Sequence, residues 1–377
     1  MATGFCKAQL AHMTSILQNG NSYGGSKVTP PGFLNALLSK EARPNALQVA
    51  YSTRGHRLPT VDISYIQRST EAQTGTALDC DIDVTPGKKE VSFTVTKNRQ
   101  ISMHVPDDTM RQYCADASNP ANLNGIGTPL MQDFLELMYS QLNGLYQGIN
   151  TDLVTSQATR FGVNRRTGST STTALNLTLA GTTMNVQDGI GRVITDMELN
   201  EICNDVFIVG NGNFHLWANA QMRGALGMNQ SGVDNSRLMD ALGAKFYFDQ
   251  KTAALWGDNQ IGVFDASDVQ FIEYNRYVGG FAGVKGAVEL GQFFDPRVQC
   301  WTPAGYQPMA FDIKLKYIDC PTSLTNGYAG GSQTYNEGWA VYISKTFDLF
   351  NVPVDMYDGG DPLSGNRGSL RYTVTNA

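Results

Sequence analysis

Between residues 58 and 105 apolar and polar positions alternate with a period of two. Val61, Ile63 and Tyr65 open the pattern, Val91, Phe93 and Val95 resume it, and Ile101, Met103 and Val105 continue it. Alternation carried by β-branched and aromatic residues predicts strands. Thr74-Gly75 and Thr85-Pro86-Gly87 lie between the runs and predict turns. The simplest arrangement is a long β-hairpin or ribbon. A two-stranded ribbon is marginal in water by itself, so it needs a neighbour.

After Thr128 the period changes. Phe134, Met138, Leu142, Leu145, Ile149 and Leu153 form one stripe, widened by Leu130, Met131, Leu135, Leu137 and Val154. The stripe predicts a helix over 128–160. Thr128 suits the N-cap and Pro129 the first helical position, with Asp133 and Glu136 towards the positive end of the dipole. About thirty residues make a rod about 45 Å long. Gly144 and Gly148 interrupt it. Each costs ~1 kcal/mol in propensity. Either another backbone comes close there or the helix kinks.

The remaining segments are shorter. Residues 1–53 are polar and Gly-rich, with apolar pieces at Phe33-Leu34 and Leu37-Leu38 after Pro30-Pro31. They predict an extended arm with one short helix over 32–40, which must pack on something else. Residues 165–184 are rich in Ser, Thr and Gly around Leu175, Leu177 and Leu179. From 186 to 265, predicted helices (185–203, 213–226, 236–242) alternate with predicted strands (205–210, 245–249, 260–264), the order of a compact α/β or α+β lobe. Strand character returns over 266–350, most clearly at 310–318 and 339–344. The tail, 358–377, is Gly-rich and polar. There is no internal repeat.

Composition adds one oddity. The chain has 377 residues, 28 Lys+Arg and 34 Asp+Glu, a formal net charge of −6 and 41% hydrophobic residues. That is enough apolar material for a large core and two to three domains. Charged residues are only 16%, against roughly 25% in a typical soluble domain. Gly, Asn, Gln, Ser and Thr take their place, an unusual surface for a free monomer. A negative net charge with no Lys/Arg block argues against an electrostatic grip on nucleic acid. No apolar run approaches a membrane span, and the N-terminus does not read as a secretory signal.

Candidate chemistry is sparse. Cys6, Cys80, Cys114, Cys203, Cys300 and Cys320 are scattered, which suits buried free thiols better than a zinc or redox site. His12, His56, His104 and His215 form no metal or triad spacing, and no G-x-S-x-G elbow is present. Neither an enzyme, a cofactor site nor a metal site is expected. Val209-Gly210-Asn211-Gly212-Asn213 follows a strand and opens a helix. It lacks the third Gly of a dinucleotide loop and the Walker Lys, so a tight turn capped by Asn is the better reading than anion binding. Asp79, Asp81 and Asp83 would share one strand face. Without the Gly and Glu of a calcium loop, they read as a solvated face or an acidic stripe for a basic partner. Arg54, His56 and Arg57 precede the ribbon, and Lys88, Lys89, Lys97 and Arg99 lie on it. These basic residues either pair with acidic surface on another subunit or protect a strand edge.

The order of arm, ribbon, long helix, α/β lobe and final strands resembles the major capsid proteins of tailed bacteriophages, the Hong Kong 97-type fold. Gly55-His56-Arg57-Leu58-Pro59-Thr60-Val61-Asp62-Ile63, Thr74-Gly75-Thr76-Ala77, Asp81-Ile82-Asp83 and Val91-Ser92-Phe93-Thr94-Val95-Thr96-Lys97 look like that family's extended loop. The helix from Thr128 sits where the family has its spine helix. The lobe from Asp205, with Phe214-His215-Leu216-Trp217, Phe246-Tyr247-Phe248 and Trp256-Gly257-Asp258, sits where its axial domain begins.

The resemblance implies an α+β chain with an arm (1–53), an extended loop (54–108), a peripheral domain (109–185), an axial domain (186–295), and return strands with a tail (296–377). It implies a non-enzymatic virion protein, assembled in the host cytoplasm. Hexamers and pentamers of itself would build an icosahedral shell around double-stranded DNA, with no sequence-specific binding and no membrane. A portal, and scaffolding or decoration proteins, would be its partners. Arg54, Arg57, Asp79, Asp81, Asp83, Lys88, Lys89, Lys97, Arg99, Gly144 and Gly148 are the candidate inter-subunit contacts. The alternatives are an encapsulin-type compartment with protein cargo, a β-rich carbohydrate-binding or surface-layer protein, and a phage tail-tube or sheath protein.

Overall fold

Val206–Gly210 forms a strand buried on both faces, as five successive apolar or small residues require. It belongs to a five-stranded sheet in a computed structural model of the chain. The structure describes residues 30–39, 47–51, 60–66, 88–117, 129–162, 175–178, 190–200, 206–215, 244–276, 283–285, 288–302, 305–318, 322–325, 332–335, 338–353, 366 and 368–375. The helices are α1 (Gly32–Ser39), α2 (Asp107–Ala117), α3 (Pro129–Ala158), α4 (Ile190–Leu199) and α5 (Lys251–Leu255). The strands begin with β1 (Leu47–Tyr51), β2 (Thr60–Ile66), β3 (Lys88–Thr94), β4 (Lys97–Pro106), β5 (Leu175–Thr178) and β6 (Val206–Gly210). Next come β7 (Ala244–Phe248), β8 (Gln260–Asp265), β9 (Val269–Tyr274), β10 (Gly283–Lys285) and β11 (Val288–Thr302). The last are β12 (Gly305–Ile318), β13 (Thr322–Thr325), β14 (Ser332–Tyr335), β15 (Gly338–Asn351) and β16 (Ser369–Thr375).

The described residues fall into two compact units. The first draws on Lys97–Ile149 and Glu273–Phe347, the second on Pro31–Thr96, Asn150–Ile272 and Asp348–Ala377. The helix α3 and the strands β9 and β15 contribute residues to both.

The second unit is built on the sheet β5-β16-β8-β6-β7. One face carries Val206, Ile208, Ile261, Val263, Leu370, Tyr372 and Val374, packed with Val193 and Met197 of α4. The other carries an aromatic cluster. Phe264 stacks on Phe207 at 5.1 Å and lies 5.3 Å from Phe33, 5.9 Å from Phe161 and 6.0 Å from Trp256. Alternation along β8 sends Ile261 and Val263 to one side and Phe264 to the other, so a continuously apolar strand feeds two cores.

The helix read into the arm is α1, and it is part of this core. Phe33 and Leu34 are fully buried. The Phe33 N–H donates to Asp249 Oδ2 at 2.9 Å and the Leu34 N–H to Asn150 Oδ1 at 3.0 Å. Asn150 Nδ2 donates to the same Asp249 oxygen at 2.7 Å. A carboxylate at a helix N-terminus satisfies orphan donors and complements the dipole. Gly32 makes the approach possible, because a Cβ there would lie 1.8 Å from the Phe248 carbonyl oxygen.

The tail differs from expectation. Ser369–Thr375 is a strand between β5, its parallel neighbour, and β8, its antiparallel one. Leu370, Tyr372 and Val374 alternate inward, a short pattern hidden by the polar residues before it.

The first unit holds the sheet order β10-β11-β12-β15-β4. The β11 and β12 strands form a long antiparallel pair with a register shift between Asp295 and Gln299. Ile101, Met103 and Val105, read as part of the ribbon, belong here: β4 pairs with β15, Met103 opposite Val341 and Val105 opposite Trp339. The long helix runs Pro129–Ala158, within the predicted 128–160. Asp133 and Glu136 fall beyond its first turn, where the dipole has little effect. Of the helix predicted over 213–226, only the first turn lies among the described residues. The one predicted over 236–242 lies outside them.

Candidate assembly surfaces

The ribbon exists at its root. Thr60–Ile66 pairs antiparallel with Lys88–Thr94, Ile66 opposite Lys88 and Thr60 opposite Thr94. The strand β1, from the segment read as arm, adds a third member, Leu47 opposite Tyr65. One face of β2 is apolar, with Val61, Ile63 and Tyr65 buried among Val95, Ile272, Phe350 and Val352. Phe93 meets Phe350 edge-on at 5.3 Å. Asp348 Oδ2 fixes the end of the ribbon by accepting from the Thr96 N–H at 3.1 Å and its Oγ1 at 2.8 Å. The opposite face is polar, and Ser92 Oγ donates to Asp62 Oδ1 at 2.8 Å. The neighbour that the ribbon needs is thus, at the root, its own unit. Residues 67–87 lie outside the described residues.

Of the candidate contact residues, Arg54, Arg57, Asp79, Asp81 and Asp83 also lie outside them. Lys88 and Lys89 are in β3, opposite Ile66 and Tyr65. Lys97 and Arg99 are on β4, not on the ribbon, and pair in register with Phe347 and Lys345. The structure brings two of the candidates together, since a Cβ on Gly148 would sit 3.5 Å from the Arg99 side chain. Gly144 is exposed, and among the described residues nothing beyond its own stretch of helix backbone lies within 4 Å of the Cβ position. Among the described residues, no close backbone approach from outside the helix accounts for either glycine.

Among the described side chains of α3, from Leu137 onward, the exposed ones lack charge. Leu137, Ser140, Asn143, Gly144, Gln147 and Thr155 are exposed, and Leu137 is 47% exposed. A solvent-facing helix face is normally charged. Because Gly144 is helical and its surroundings are open, Gly144→Ala is expected to raise the stability of the isolated chain by about 1 kcal/mol. A thermal melt at matched concentration measures this, and an unchanged or lower melting temperature refutes it.

The Gly210-Asn211-Gly212 turn is a cap. Asn211 Oδ1 accepts from the Asn213 N–H at 3.1 Å and the Phe214 N–H at 3.3 Å, and its Nδ2 donates to the Asp258 carbonyl. The helix N-terminus is used internally, as expected for an Asn-capped turn. Among the described residues no group of three His, Cys, Asp or Glu is arranged to hold a metal ion, and no helix is long and apolar enough to cross a membrane. Cys300 is buried, and burial, with Glu273 nearby, pushes its thiol up, Lys345 opposing. A thiol held protonated is a poor nucleophile.

One cluster escaped the sequence reading. Lys345 lies on the inward series Val341, Ile343, Lys345 and Phe347 of β15 and is fully buried. Its Nζ donates to Glu273 Oε2 at 2.5 Å, Ala310 O at 2.5 Å and Asn275 Oδ1 at 3.0 Å. The detectable signal was a single Lys at an inward position of an otherwise apolar alternating run, with Glu-x-Asn ending another strand.

No protein-family model matches the sequence, and no curated protein matches it. Solved structures do. The cyanophage A-1(L) capsid asymmetric unit matches with 11% identity over 94% of this chain and 96% of that one, at a TM-score of 0.43. The capsid of Ralstonia phage GP4 matches with 9% identity over 94% of both chains, at 0.44. A chain of Mycobacterium phage Che8 matches with 9% identity over 83% of this chain and 84% of that one, at 0.36.

Proposed function

We propose that the chain is a major capsid protein of the Hong Kong 97 type, which assembles in many copies into an icosahedral shell enclosing double-stranded DNA. The observation that carries this reading is the order of elements. A ribbon, a helix of 30 residues, an α/β lobe and long return strands follow one another in one chain. The absence of charge among the exposed described side chains of α3, from Leu137 onward, supports it, because contact surfaces between copies deplete Lys, Glu and Asp.

In this reading the lobe meets its copies around five- and six-fold axes, and α3 meets them near three-fold axes. The segment carrying Asp79, Asp81 and Asp83, with Lys88 and Lys89 after it, reaches an adjacent subunit, and Arg54 and Arg57, which precede β2, supply further contacts. Lys97, Arg99, Gly144 and Gly148 supply contacts near α3. A net charge of −6 suits a shell that confines DNA without gripping it. The subunit is a structural element and not an enzyme.

The test is negative-stain imaging and sedimentation of the native full-length protein, followed by extraction of its contents. Closed particles containing double-stranded DNA are expected. Particles with only protein cargo would make it a compartment. Open tubes, or a persistent monomer that binds glycans, would overturn the shell altogether. Replacing 67–87 with a short turn preserves the Ile66–Lys88 register and should give folded subunits that fail to close shells. Normal shells from that variant would remove the tip from the assembly.

A further inference from the structure

We propose that the second unit has a built-in site for a single internal water molecule, held between Gln157 Nε2 and Asn351 Oδ1. The proposal rests on a buried polar cluster at the C-terminal end of α3 and is independent of the capsid reading. Gln157 lies in the last turn of α3 and Asn351 ends β15. Gln157 is 0% exposed and Asn351 7%. Asn351 Nδ2 donates to Gln157 Oε1 at 2.8 Å and to Arg160 O at 3.3 Å. Arg160 O also accepts from Asn366 Nδ2 at 2.8 Å and from Ser369 Oγ at 3.2 Å.

The other half of the amide pair is unused. Gln157 Nε2, a donor, and Asn351 Oδ1, an acceptor, are both buried and meet no hydrogen-bond partner among the described residues. Buried polar atoms are almost always hydrogen-bonded, because the water they give up on folding must be replaced.

Two simpler arrangements do not meet that need. Turning both amides over brings Nε2 to Oδ1 but strands Gln157 Oε1 and Asn351 Nδ2, and it sets Oδ1 against the Arg160 carbonyl. A side-by-side pair with both bonds formed requires the Asn351 amide to face Gln157 alone, and its Nδ2 is shared with Arg160 O. A cation does not suit the place either, since an N–H points into it and Arg160 O is taken by three donors. One water satisfies both atoms, accepting from Nε2 and donating to Oδ1. Its second proton can go to a lone pair of Ser369 Oγ, which is in the same cluster and belongs to a residue 0% exposed. That gives about three bonds, the usual number for an internal water. The water then closes a hydrogen-bonded ring that ties the end of α3 to the end of β15.

Water oxygen-17 relaxation dispersion of the full chain, which counts long-lived internal waters, tests this. Gln157→Met combined with Asn351→Leu replaces both amides with apolar side chains of similar size. The double variant should hold one long-lived water fewer per chain than wild type, with unchanged near-ultraviolet circular dichroism. A folded double variant with the same count overturns the proposal. If the double variant does not fold, a high-resolution density map of the wild-type chain decides. It should show an ordered water within about 2.7–3.2 Å of both Gln157 Nε2 and Asn351 Oδ1. A map without that water, whether or not the two atoms bond directly, overturns the proposal.

Discussion

Truncation before Ser369 is expected to unfold the second unit. The strand β16 pairs with β5 on one side and β8 on the other, so its loss cuts the sheet and leaves two new edges. Leu370, Tyr372 and Val374 are all buried in the core facing α4. Burying side chains of this kind stabilises by roughly 1.5–3 kcal/mol each. Three of them approach the ~5–15 kcal/mol net stability of a whole domain. Polar ties go as well. Tyr372 Oη donates to Asp196 Oδ2 at 2.9 Å, the Gly162 N–H to Ser369 O at 2.7 Å, and the Val374 N–H to Asn259 O at 2.7 Å. Limited proteolysis and near-ultraviolet circular dichroism should report a second unit cut rapidly and without fixed aromatic packing. Removing only Asn376 and Ala377 should leave both signals unchanged. A native cleavage pattern in the longer truncation would refute the central role of β16.

Phe264→Ala is expected to cost about 3–5 kcal/mol, the range for a buried aromatic truncated to alanine. Phe264 is the ring that Phe33, Phe161, Phe207 and Trp256 all approach within 6.0 Å. The cavity would open between α1 and the sheet, where little can collapse into it. The Trp256 indole is fixed by a 2.9 Å hydrogen bond from Nε1 to the Val154 carbonyl. Phe33 is fixed by its backbone bond to Asp249. Phe264→Leu should recover most of the loss. Denaturant unfolding followed by tryptophan fluorescence measures both variants, and a loss under 1.5 kcal/mol for alanine, the upper limit usual for volume-conserving swaps, would show that the cluster repacks.

Most elements were legible from local pattern, and the partners of several were not. Val61, Ile63, Tyr65, Val91 and Phe93 alternate, and the alternation predicted the β2–β3 pair that forms. The same alternation at Ile101, Met103 and Val105 was equally good strand evidence but misleading about pairing, because a period of two states which side chains share a face and nothing about the adjacent strand. What separates β4 from the ribbon is the Thr96 tie to Asp348 and ten residues of pairing with β15. The tail was missed because three inward residues in Ser-Leu-Arg-Tyr-Thr-Val-Thr make a weak signal after a polar, Gly-rich stretch.

The candidate contacts divide along the same line. Arg99 and Gly148 were singled out separately, one for charge and one for helix propensity, and the fold brings them together. Lys345, Glu273 and Asn275 were not singled out at all. Lys345 is seventy residues from Asn275 and seventy-two from Glu273 in sequence, and neither strand alone carries a recognisable motif.

By itself the sequence determined much of where the described residues are helical or extended, which faces of the β2–β3 pair and of α3 are apolar, and that the chain is poor in charge, because periodicity and composition are local properties that survive without a partner. Only the tertiary structure decided that the arm's helix and the last strand belong to one core, that β4 leaves the ribbon, and that a lysine is buried against a glutamate and an asparagine. Those outcomes depend on which distant segments bury each other best, and that choice is made by the summed packing and hydrogen bonding of the whole chain.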